Sequence, residues 1–580
     1  MKIRFLLLTC LLGASMASAQ QTPAPALLFS DLIAGPATGN SDSTFTSNGG
    51  VYVRIYGNFF GATQGTSTLT MNGVSCFHVI TWGETWRWYQ RITAQLTGTC
   101  TTGNIVVTTA NGTSNGLPFT VNAGAIHYVA TTGSDSNSGT FASPWKTLPH
   151  AVQTAGTSPG NIVYVHSNVQ QLVDDGQWSG ALTIRSGWSH GTDAQPDALI
   201  GYPGATGIQI GNGSQNGLDT SDFTAGDGAP AGKWVFAELT FRGTSAASFN
   251  GGDNYRFIGN DLSNGNVDPG AGAAWEEAMT THMKAYGNYF HDLNLGTTQR
   301  LAQGVYPSTD ANHTDIGWNE IYNTKGRTGM QVHSSPVNGS TGYIMFDIQI
   351  HDNMIHNTAE ECILVDTVDP SQGTIAVYNN VVWNCGQDGS GDSLHHQLSG
   401  DFNSAHGAGT SPPPVRWYNN TVYTTGGNSC WGSSYPDIHS GFTTTNFLQN
   451  NICYSTNSVP YWGPQNYGGS GCSSGDTTSA CQSMTGNTNM VFGNGTPTFT
   501  AHLLSGSINS DPKFVTNGSN FALQSGSPAI GAGSTTAPVP AYDINGLVRP
   551  SPPSLGAYEF SAGVIVPKPA PPTNLTVVVQ

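Results

Sequence analysis

A short pattern recurs in the middle of this chain and limits what the chain can fold into. Each copy has an asparagine followed by alternating apolar and polar residues, as in "GNYFHD", "WNEIYN" and "NNVVWN". The repeated asparagines are Asn260, Asn288, Asn319, Asn353, Asn380, Asn420 and Asn451. Their spacing of 27 to 40 residues is typical of a solenoid, in which each repeat is one coil that buries its apolar side chains against its neighbours.

The repeat also predicts how a coil is built. The apolar residue should point inward, and the asparagine should lie at a bend, where its side chain can hydrogen-bond the backbone of the next coil. Two or three short strands per coil would then stack into long parallel sheets. Because the intervals are unequal, we expect loops of different length on one flank, and such loops usually form the functional site.

Composition agrees with an ordered all-β chain. Charged residues make up only 9% of the 580 residues, whereas hydrophobic residues make up 37% and glycines number 74. Disordered chains are poor in hydrophobic residues and rich in net charge, which excludes that class here. Abundant glycine, asparagine and β-branched residues favour many short strands and turns, and the length favours more than one structural unit.

Both ends of the repeat region carry motifs of a known class. "IHYVATTGSDSNSGT" and "SPWKTL" lie before it, and "SDPKFV", "LQSGSPAIGAG", "DINGLVRP" and "GAYEF" lie after it. These segments resemble secreted right-handed parallel β-helix proteins of the pectate-lyase-like superfamily. The resemblance implies a β-helix domain over residues 125–560 with N-terminal and C-terminal caps, followed by a Pro-rich tail over 561–580.

Residues 27–122 form a separate unit of short strands and turns. "VYVRIYGNFFG", "MNGVSC" and "GNIVVTTANGTSN" resemble an IPT/TIG immunoglobulin-like domain. The resemblance implies a β-sandwich that acts as a spacer or accessory and carries no catalysis. The predicted fold class is therefore all-β, a right-handed parallel β-helix solenoid preceded by an immunoglobulin-like β-sandwich.

The N-terminus reads as a signal peptide over residues 1–19. "MKIR" is a short basic region, "FLLLTCLLGASM" is apolar, and "ASA" is a small-residue cleavage site. The apolar run is too short to span a bilayer, and no later segment could, so we expect a secreted protein without a membrane span. Cleavage removes Lys2 and Arg4, which takes the net charge from −17 to −19. Such a chain is a poor nucleic-acid binder, and an anionic substrate would need a local cationic patch or bound cations.

Eight cysteines remain after cleavage of the signal peptide. An even number in an exported protein favours disulfides, and the absence of a CxxC pair makes a metal site the weaker interpretation. Cysteines that neighbour each other in sequence are predicted to pair, as Cys76–Cys100, Cys362–Cys385, Cys430–Cys453 and Cys472–Cys481.

Alternation along the strands predicts a candidate active site on the outer face of the solenoid. In "GMQVHSS" His333 points outward, as does Tyr306 one coil earlier and Asp366 one coil later. These three residues should form one column with coils about 4.8 Å apart. Two turns lie beside that column, one carrying Lys325 and Arg327 and the next carrying Glu360 and Glu361.

This set suits two kinds of polysaccharide cleavage. β-Elimination at a uronide needs a cation at the carboxylate and a base for the C5 proton, roles for Lys325 and Arg327 and for His333 and Tyr306. Hydrolysis needs two carboxyl groups, for which Glu361 and Asp366 are candidates. The residues predicted to bind substrate are Gln331, Trp275, Asp392 and His396. Glu360 and Asp369 are candidate Ca²⁺ ligands, and no other cofactor is indicated.

We therefore predict a secreted enzyme, expected to be monomeric, that cleaves a complex polysaccharide, with uronic-acid-containing glycans as candidates. The alternative is a non-catalytic extracellular protein that binds glycans or has a structural role. Outward polar ladders on β-helices are commonly just solvated faces. For each residue of the column, a solvated position without a catalytic role is therefore the alternative to catalysis. A groove with close carboxylates, or with a cation beside a base, would favour the enzyme. An aromatic-lined or flat polar face with no perturbed titratable group would favour the binding protein.

Overall fold

The protein was analysed as a computed structural model. The structure describes residues 23–177, 180–188, 191–220, 232–265, 273–296, 302–334, 345–366, 368–387, 396–401, 413–425, 429–433, 446–458, 461–464, 484–495, 504 and 506–561. The predicted signal peptide, Asp392, Cys472, Cys481 and residues 562–580 lie outside the described residues, as does the side chain of His396. Within them, no helix has both the length and the apolar character that crossing a membrane requires.

The N-terminal unit is a sandwich of two sheets, as the sequence predicts. The first sheet is antiparallel and has the strand order Ala26–Ser30, Tyr52–Asn58, Tyr89–Leu96 and Phe77–Trp86. The second has the order Ala34–Gly35, Leu117–Val121, Gly103–Thr109 and Thr68–Met71, with Gly112–Thr113 paired to the third of these. Val53, Ile55, Ile92, Ile105 and Val107 are buried in its core.

The rest of the described chain is a parallel β-helix, which confirms the predicted fold class. Each coil passes through three parallel sheets, here named sheets I, II and III. The twelve described strands of sheet I are Ile126–Val129, Ile162–Val165, Asp197–Gly201, Trp234–Ala237, Arg256–Ile258, Lys284–Tyr286, Thr314–Gly317, Ile348–His351, Ile375–Tyr378, Val415–Tyr418, Asn446–Gln449 and Met484–Asn487.

Sheets II and III complete each coil. The twelve described strands of sheet II are Gln170–Gln171, Gln209–Ile210, Thr240–Arg242, Asp261–Ser263, Tyr289–Leu293, Glu320–Thr324, Met354–Thr358, Val381–Trp383, Thr421–Thr424, Ile452–Ser455, Met490–Gly493 and Ile508–Asn509. The ten described strands of sheet III are Gly180–Thr183, Asn216–Asp219, Ala247–Asn250, Trp275–Ala278, Val305–Ser308, Met330–Val332, Ile363–Asp366, His396–Asp401, Ser429–Ser433 and Trp462–Pro464.

A short helix closes the N-terminal end of the solenoid. Leu148–Ala155 is α-helical, and the side chain of Thr147 caps it by accepting a hydrogen bond from the backbone N–H of His150. Its buried face, formed by Leu148, Ala151, Val152 and Ala155, joins the interior cluster of the first coils. A single 3₁₀ turn, Ser186–Trp188, packs beside it.

The repeated asparagines form a ladder at the two-residue turn from sheet I to sheet II. The Oδ1 atom of Asn353 accepts hydrogen bonds from the backbone N (3.0 Å) and Nδ2 (2.9 Å) of Asn319 in the preceding coil. Nδ2 of Asn353 donates to the backbone oxygen of Ile316 in that same coil (3.0 Å). Each asparagine side chain therefore hydrogen-bonds the backbone of the preceding coil. The prediction of a bond to the backbone of the next coil is wrong. The ladder also continues one coil further than the seven repeats, to Asn489.

The sandwich docks on the outer face of sheet I. Arg54 pairs with Asp31 of the sandwich (3.2 Å) and donates to the backbone oxygen of Gly201 of the solenoid (2.6 Å). Arg91 pairs across the same contact with Glu238 (2.8 Å). Strand Tyr52–Asn58 is consequently buried on both faces, with one face in the sandwich core and the other against the solenoid.

The C-terminal segment does more than cap the solenoid. Ile508–Asn509 adds a last strand to sheet II, and Phe514–Thr516 pairs with Asn520–Leu523 in a hairpin. The chain then folds back along the outside of the coils, where Asn419 donates to the backbone oxygen of Ser554 (3.2 Å) and Asn379 donates to that of Tyr542 (2.8 Å). It reaches the sandwich, where the Asn58 side chain donates to the backbone oxygen of Asn545 (3.0 Å).

Three of the four predicted disulfides lie in the described part of the chain, and all three are confirmed. Cys76–Cys100 lies in the sandwich, and Cys362–Cys385 and Cys430–Cys453 lie in the solenoid. Each closes a loop of sequence separation 23 or 24.

Candidate active site

Sheet III is the face at which the coils differ. Every turn from sheet I to sheet II, from the coil of Asn260 to that of Asn489, contains two residues, such as Trp318 and Asn319. The connections that enter and leave sheet III vary widely in length. Residues 359–362 connect sheet II to sheet III in one coil, whereas residues 465–483 connect sheet III to sheet I in another. Because variable loops of a solenoid surround its binding surface, sheet III is the face on which to look for a site.

Tyr306, His333 and Asp366 meet on this face, although not in one register column. Val305 pairs with Met330 and Ser308 pairs with His333, which places Tyr306 level with Gln331. The predicted single column is wrong for Tyr306, because the connection from each asparagine to sheet III varies in length, so counting from the asparagine does not set the register. His333 and Asp366 are level as predicted, since Met330–Val332 pairs with Ile363–Val365. The Tyr306 side chain nevertheless reaches His333 diagonally. The Tyr306 hydroxyl lies 3.1 Å from Nδ1 of His333, and Nε2 of His333 lies 3.7 Å from Oδ2 of Asp366.

The protonation states of this trio follow from its surroundings. Burial, followed by the positive charge of Arg327, lowers the pKa of His333 to about 4, so the imidazole is neutral at pH 7. Burial, followed by the carboxylates of Glu276 and Asp366, raises the pKa of Tyr306, so its hydroxyl keeps its proton. A neutral imidazole with Nε2–H toward Asp366 leaves the Nδ1 lone pair to accept the hydrogen bond from Tyr306.

The cationic turn lies beside the trio. Nε of Arg327 donates to Oε2 of Glu360 (3.0 Å), and the backbone N–H of Glu360 donates to the Arg327 oxygen (3.0 Å). These contacts show that the two turns stack one coil apart, as predicted. The Arg327 side chain keeps 22% of its surface exposed, and Lys325 is exposed.

Several other predicted residues have little surface with which to meet a ligand. Gln331 is 2% exposed, and its Oε1 accepts a hydrogen bond from Nε2 of Gln303 (3.2 Å). Glu361 is 4% exposed. Asp369 is 1% exposed, and its carboxylate accepts from the Ser371 hydroxyl (2.5 Å) and from Nε2 of Gln372 (2.7 Å) in its own loop.

The prediction that Trp275 binds substrate is wrong. Trp275 is fully buried and packs inside the solenoid, where its ring contacts Phe249 and Phe290. Trp275–Ala278 is a strand of sheet III. Alternation then turns the tryptophan inward and its neighbour Glu276 outward.

Glu276 is a site residue that the sequence interpretation missed. It is level with Tyr306 in the adjacent strand, and its Oε1 accepts a hydrogen bond from the Ser308 hydroxyl (3.2 Å). Burial, and then the charge of Asp219, raises its pKa. The alternation of "WEEA" was the signal that could have revealed it.

No group of three His, Cys, Asp or Glu side chains suited to a metal ion occurs in the part of the chain that the structure describes. The two candidate Ca²⁺ ligands have separate partners, Arg327 for Glu360 and the Ser371 loop for Asp369.

Comparison with known proteins finds matches among solved structures alone. No protein-family model matches this sequence, and no curated protein matches it. Among solved structures, the chain is similar to XylC in complex with xylose, at 10% identity over 67% of this chain and 87% of that chain, with a TM-score of 0.40. It is similar to the pectate lyase Pel9A at 14% identity over 76% of this chain and 96% of that one, with a TM-score of 0.37.

A third similar structure is a family 28 exopolygalacturonase from Yersinia enterocolitica. The identity is 10% over 84% of this chain and 98% of that chain, with a TM-score of 0.39. Likenesses of this degree carry no argument about activity, so the functional inference rests on the residues of this chain.

Proposed function

We propose that this protein is a secreted enzyme that cleaves a uronic-acid-containing polysaccharide by β-elimination on the outer face of sheet III. The observation that carries the proposal is the 3.1 Å contact between the Tyr306 hydroxyl and Nδ1 of a neutral His333, with Arg327 close enough to lower the pKa of that histidine. A base beside a cation is the arrangement that elimination at a uronide requires.

The proposed step uses Tyr306 as the group that touches the substrate. The Tyr306 oxygen takes the C5 proton of the uronide while its own proton moves to Nδ1 of His333. The electron pair left on C5 forms the C4=C5 double bond as the C4–O4 bond breaks. The leaving O4 takes the proton now on Tyr306, and His333 then returns its proton to the tyrosine oxygen.

Asp366 and Arg327 support the two charges that develop. Asp366, 3.7 Å from Nε2 of His333, stabilises the imidazolium formed when His333 accepts the proton. Arg327, with Lys325 on the same turn, would neutralise the C6 carboxylate and the negative charge that spreads onto it when C5 loses its proton. Glu360 holds the guanidinium through Nε (3.0 Å), which fixes its position.

Hydrolysis is the less favoured chemistry. Glu276 and Asp366 stand three strands apart on sheet III, which at ~4.8 Å per strand separates their backbones by about 14 Å. Glycosidases hold their two carboxyl groups roughly 5 to 9.5 Å apart. The other predicted pair, Glu361 and Asp366, is 4% and 6% exposed, which leaves a sugar little carboxylate surface to meet.

We further propose that the sandwich is a domain of the IPT/TIG type and that the chain is exported. The three disulfides support export, since such bonds persist in oxidising compartments. The partner on this proposal is a polysaccharide, bound by a monomer.

The test is a screen of the purified protein on plant, algal and bacterial polysaccharides, with and without Ca²⁺. Two products are measured, the ultraviolet absorbance of the unsaturated uronide and the new reducing ends. The proposal predicts that both rise together on a uronide-containing glycan. Reducing ends without absorbance would indicate hydrolysis, and neither signal on any substrate would favour the non-catalytic alternative.

A further inference from the structure

A cavity lies on the side of the solenoid away from sheet III. Its volume is about 370 Å³, and three parts of the chain enclose it. The sandwich contributes Leu28, sheet I contributes His351, Tyr378 and Tyr418, and the folded-back C-terminal segment contributes Tyr542. Tyr542 is 42% exposed, so the cavity opens to solvent on that side.

One wall of this cavity is a stack of rings. The His351 and Tyr378 rings lie 5.0 Å apart at 11°, and the Tyr378 and Tyr418 rings lie 4.9 Å apart at 7°. The three residues are level with one another on successive strands of sheet I, so the parallel stacking keeps their ring edges in one row. Trp318 lines the cavity beside this row.

The hydroxyls of Tyr378 and Tyr418 have no hydrogen-bond partner among the described residues, and neither oxygen is shut off from solvent. Burial raises the pKa of both groups, so both remain donors at any ordinary pH. Two unused hydroxyls on the aromatic wall are the polar anchors that a small binding site needs.

The charges at this cavity are already paired or negative. His351 donates to Asp315 and to Asp352, each at 2.7 Å, so its positive charge is shared by two carboxylates. Asp543 also lines the cavity, and its carboxylate accepts from the backbone N–H groups of Asn545 and Glu559 (both 2.9 Å). None of the described lining residues is an unpaired cation that could receive an anionic ligand.

We infer that this cavity binds a neutral sugar ring, with Tyr378 and Tyr418 as hydrogen-bond donors and the aromatic wall against its apolar C–H groups. The volume is at the lower end of the range for ligand cavities and suits one pyranose with its bound water. A uronate would bring its carboxylate to a wall on which no described lining residue is an unpaired cation, so the carboxylate would lose its water without gaining a counter-ion. The cavity therefore selects the opposite class of sugar from the one that the cationic turn at sheet III would receive.

Binding at this cavity should also stabilise the fold. The sandwich, the solenoid and the C-terminal segment all line it, so a ligand that contacts all three is lost when any of them detaches. A ligand that binds only the assembled form raises the melting temperature, and the rise grows with the logarithm of one plus its concentration divided by its dissociation constant.

The experiment uses the full chain, isothermal titration calorimetry and thermal melting. The neutral probes are the methyl glycosides of glucose, galactose, mannose and xylose, and the anionic probes are sodium glucuronate and galacturonate. The test variant combines Tyr378→Phe and Tyr418→Phe, which removes only the two hydroxyls. Tyr423→Phe is the matched control, because Tyr423 is also a strand tyrosine whose ring packs against a second tyrosine ring, but it lies on sheet II.

The inference predicts millimolar binding of at least one neutral glycoside, a rise in melting temperature with its concentration, and a loss of about tenfold or more in affinity in the double variant. The control should bind like the wild type. Two results would overturn the inference: no neutral glycoside binds, or binding is the same in the double variant. Uronates that bind as tightly as neutral sugars, with the same dependence on the two hydroxyls, would overturn the selectivity.

Discussion

The hydroxyl of Tyr306 reaches Nδ1 of His333 at 3.1 Å from a strand position that is level with Gln331 rather than with His333. The contact is therefore diagonal between neighbouring coils and depends on how sheet III is registered. It joins a hydroxyl whose pKa burial has raised to an imidazole whose pKa burial has lowered. Both groups are neutral at pH 7, so the Tyr306 hydroxyl still has a proton to donate and Nδ1 of His333 has a free lone pair to accept it.

The first prediction concerns the pH dependence of cleavage. His333 accepts a proton in the proposed step, so it must be unprotonated, and its pKa is about 4. The kcat/KM of the proposed elimination should rise with pH through about 4 and then stay level up to alkaline pH, because the raised pKa of Tyr306 keeps its proton in place. A pH–rate series measured by unsaturated-product absorbance checks this. A rise centred near pH 6.5, the ordinary value for histidine, would contradict the lowered pKa of His333.

The second prediction concerns the asparagine ladder. Asn353→Ala removes the acceptor for two N–H groups of Asn319 and the donor to the Ile316 oxygen, all buried. The free energy of unfolding should fall by about 3 kcal/mol, because the partners left behind are shut off from water. Denaturant unfolding measures the loss, with Asn104→Ala on an exposed position of the sandwich as the control. Equal stability of the two variants would show that the ladder contributes little.

The third prediction concerns Glu277, which points into the solenoid and is fully buried. Burial raises its pKa to about 7, and the Thr280 hydroxyl donates to its carboxyl group (2.7 Å). An acid whose pKa is higher in the folded than in the unfolded state holds extra protons when folded, so it costs stability as pH rises from the unfolded value to about 7.

Glu277→Gln removes that titration. Relative to the wild type, the variant should gain roughly 3 kcal/mol in free energy of unfolding between pH 4.5 and 8. Asp174→Asn, at an exposed residue, serves as the control for a changed surface charge. A stability difference that does not change with pH would contradict the assigned pKa.

The fourth prediction concerns His351 at the far side of the solenoid. Its pKa is raised to about 9 by Asp315 and Asp352, which outweigh the effect of burial. A base whose folded pKa exceeds its unfolded value stabilises the fold fully below the unfolded value and loses that contribution as pH rises through the folded one. The wild type should therefore lose stability between about pH 7 and 10, and His351→Gln should show a flatter profile over that range. Parallel melting curves for the two proteins would contradict this.

Much of the solenoid could be predicted because its repeat is local. The asparagine and the apolar residues after it recur once per coil, and each makes the same contacts with its neighbours. The register of sheet III could not be predicted in the same way. That register depends on the number of residues in each connection before the next strand begins. No residue in the sequence marks where that strand begins.

The contacts of the sandwich and of the C-terminal segment with the solenoid also could not be predicted from the sequence. Alternation along the strand turns Tyr52 and Arg54 away from the sandwich core, and no residue of that strand shows that sheet I covers them. The C-terminal motifs were identified, yet nothing in them shows that Arg549 would pair with Asn379 (2.7 Å) halfway back along the solenoid. Such contacts join residues far apart in sequence, and only the assembled fold brings them together.

The central claim is that Tyr306 and His333 act as one proton-transfer pair. The most direct measurement is the rate of unsaturated-product formation by Tyr306→Phe on a uronide glycan that the wild type cleaves, beside Tyr423→Phe as the matched control. The account predicts a loss of at least about 100-fold in kcat for Tyr306→Phe, with the melting temperature preserved and the control unaffected. A folded Tyr306→Phe protein that keeps the wild-type rate would contradict the account, because the hydroxyl that takes the C5 proton would be absent.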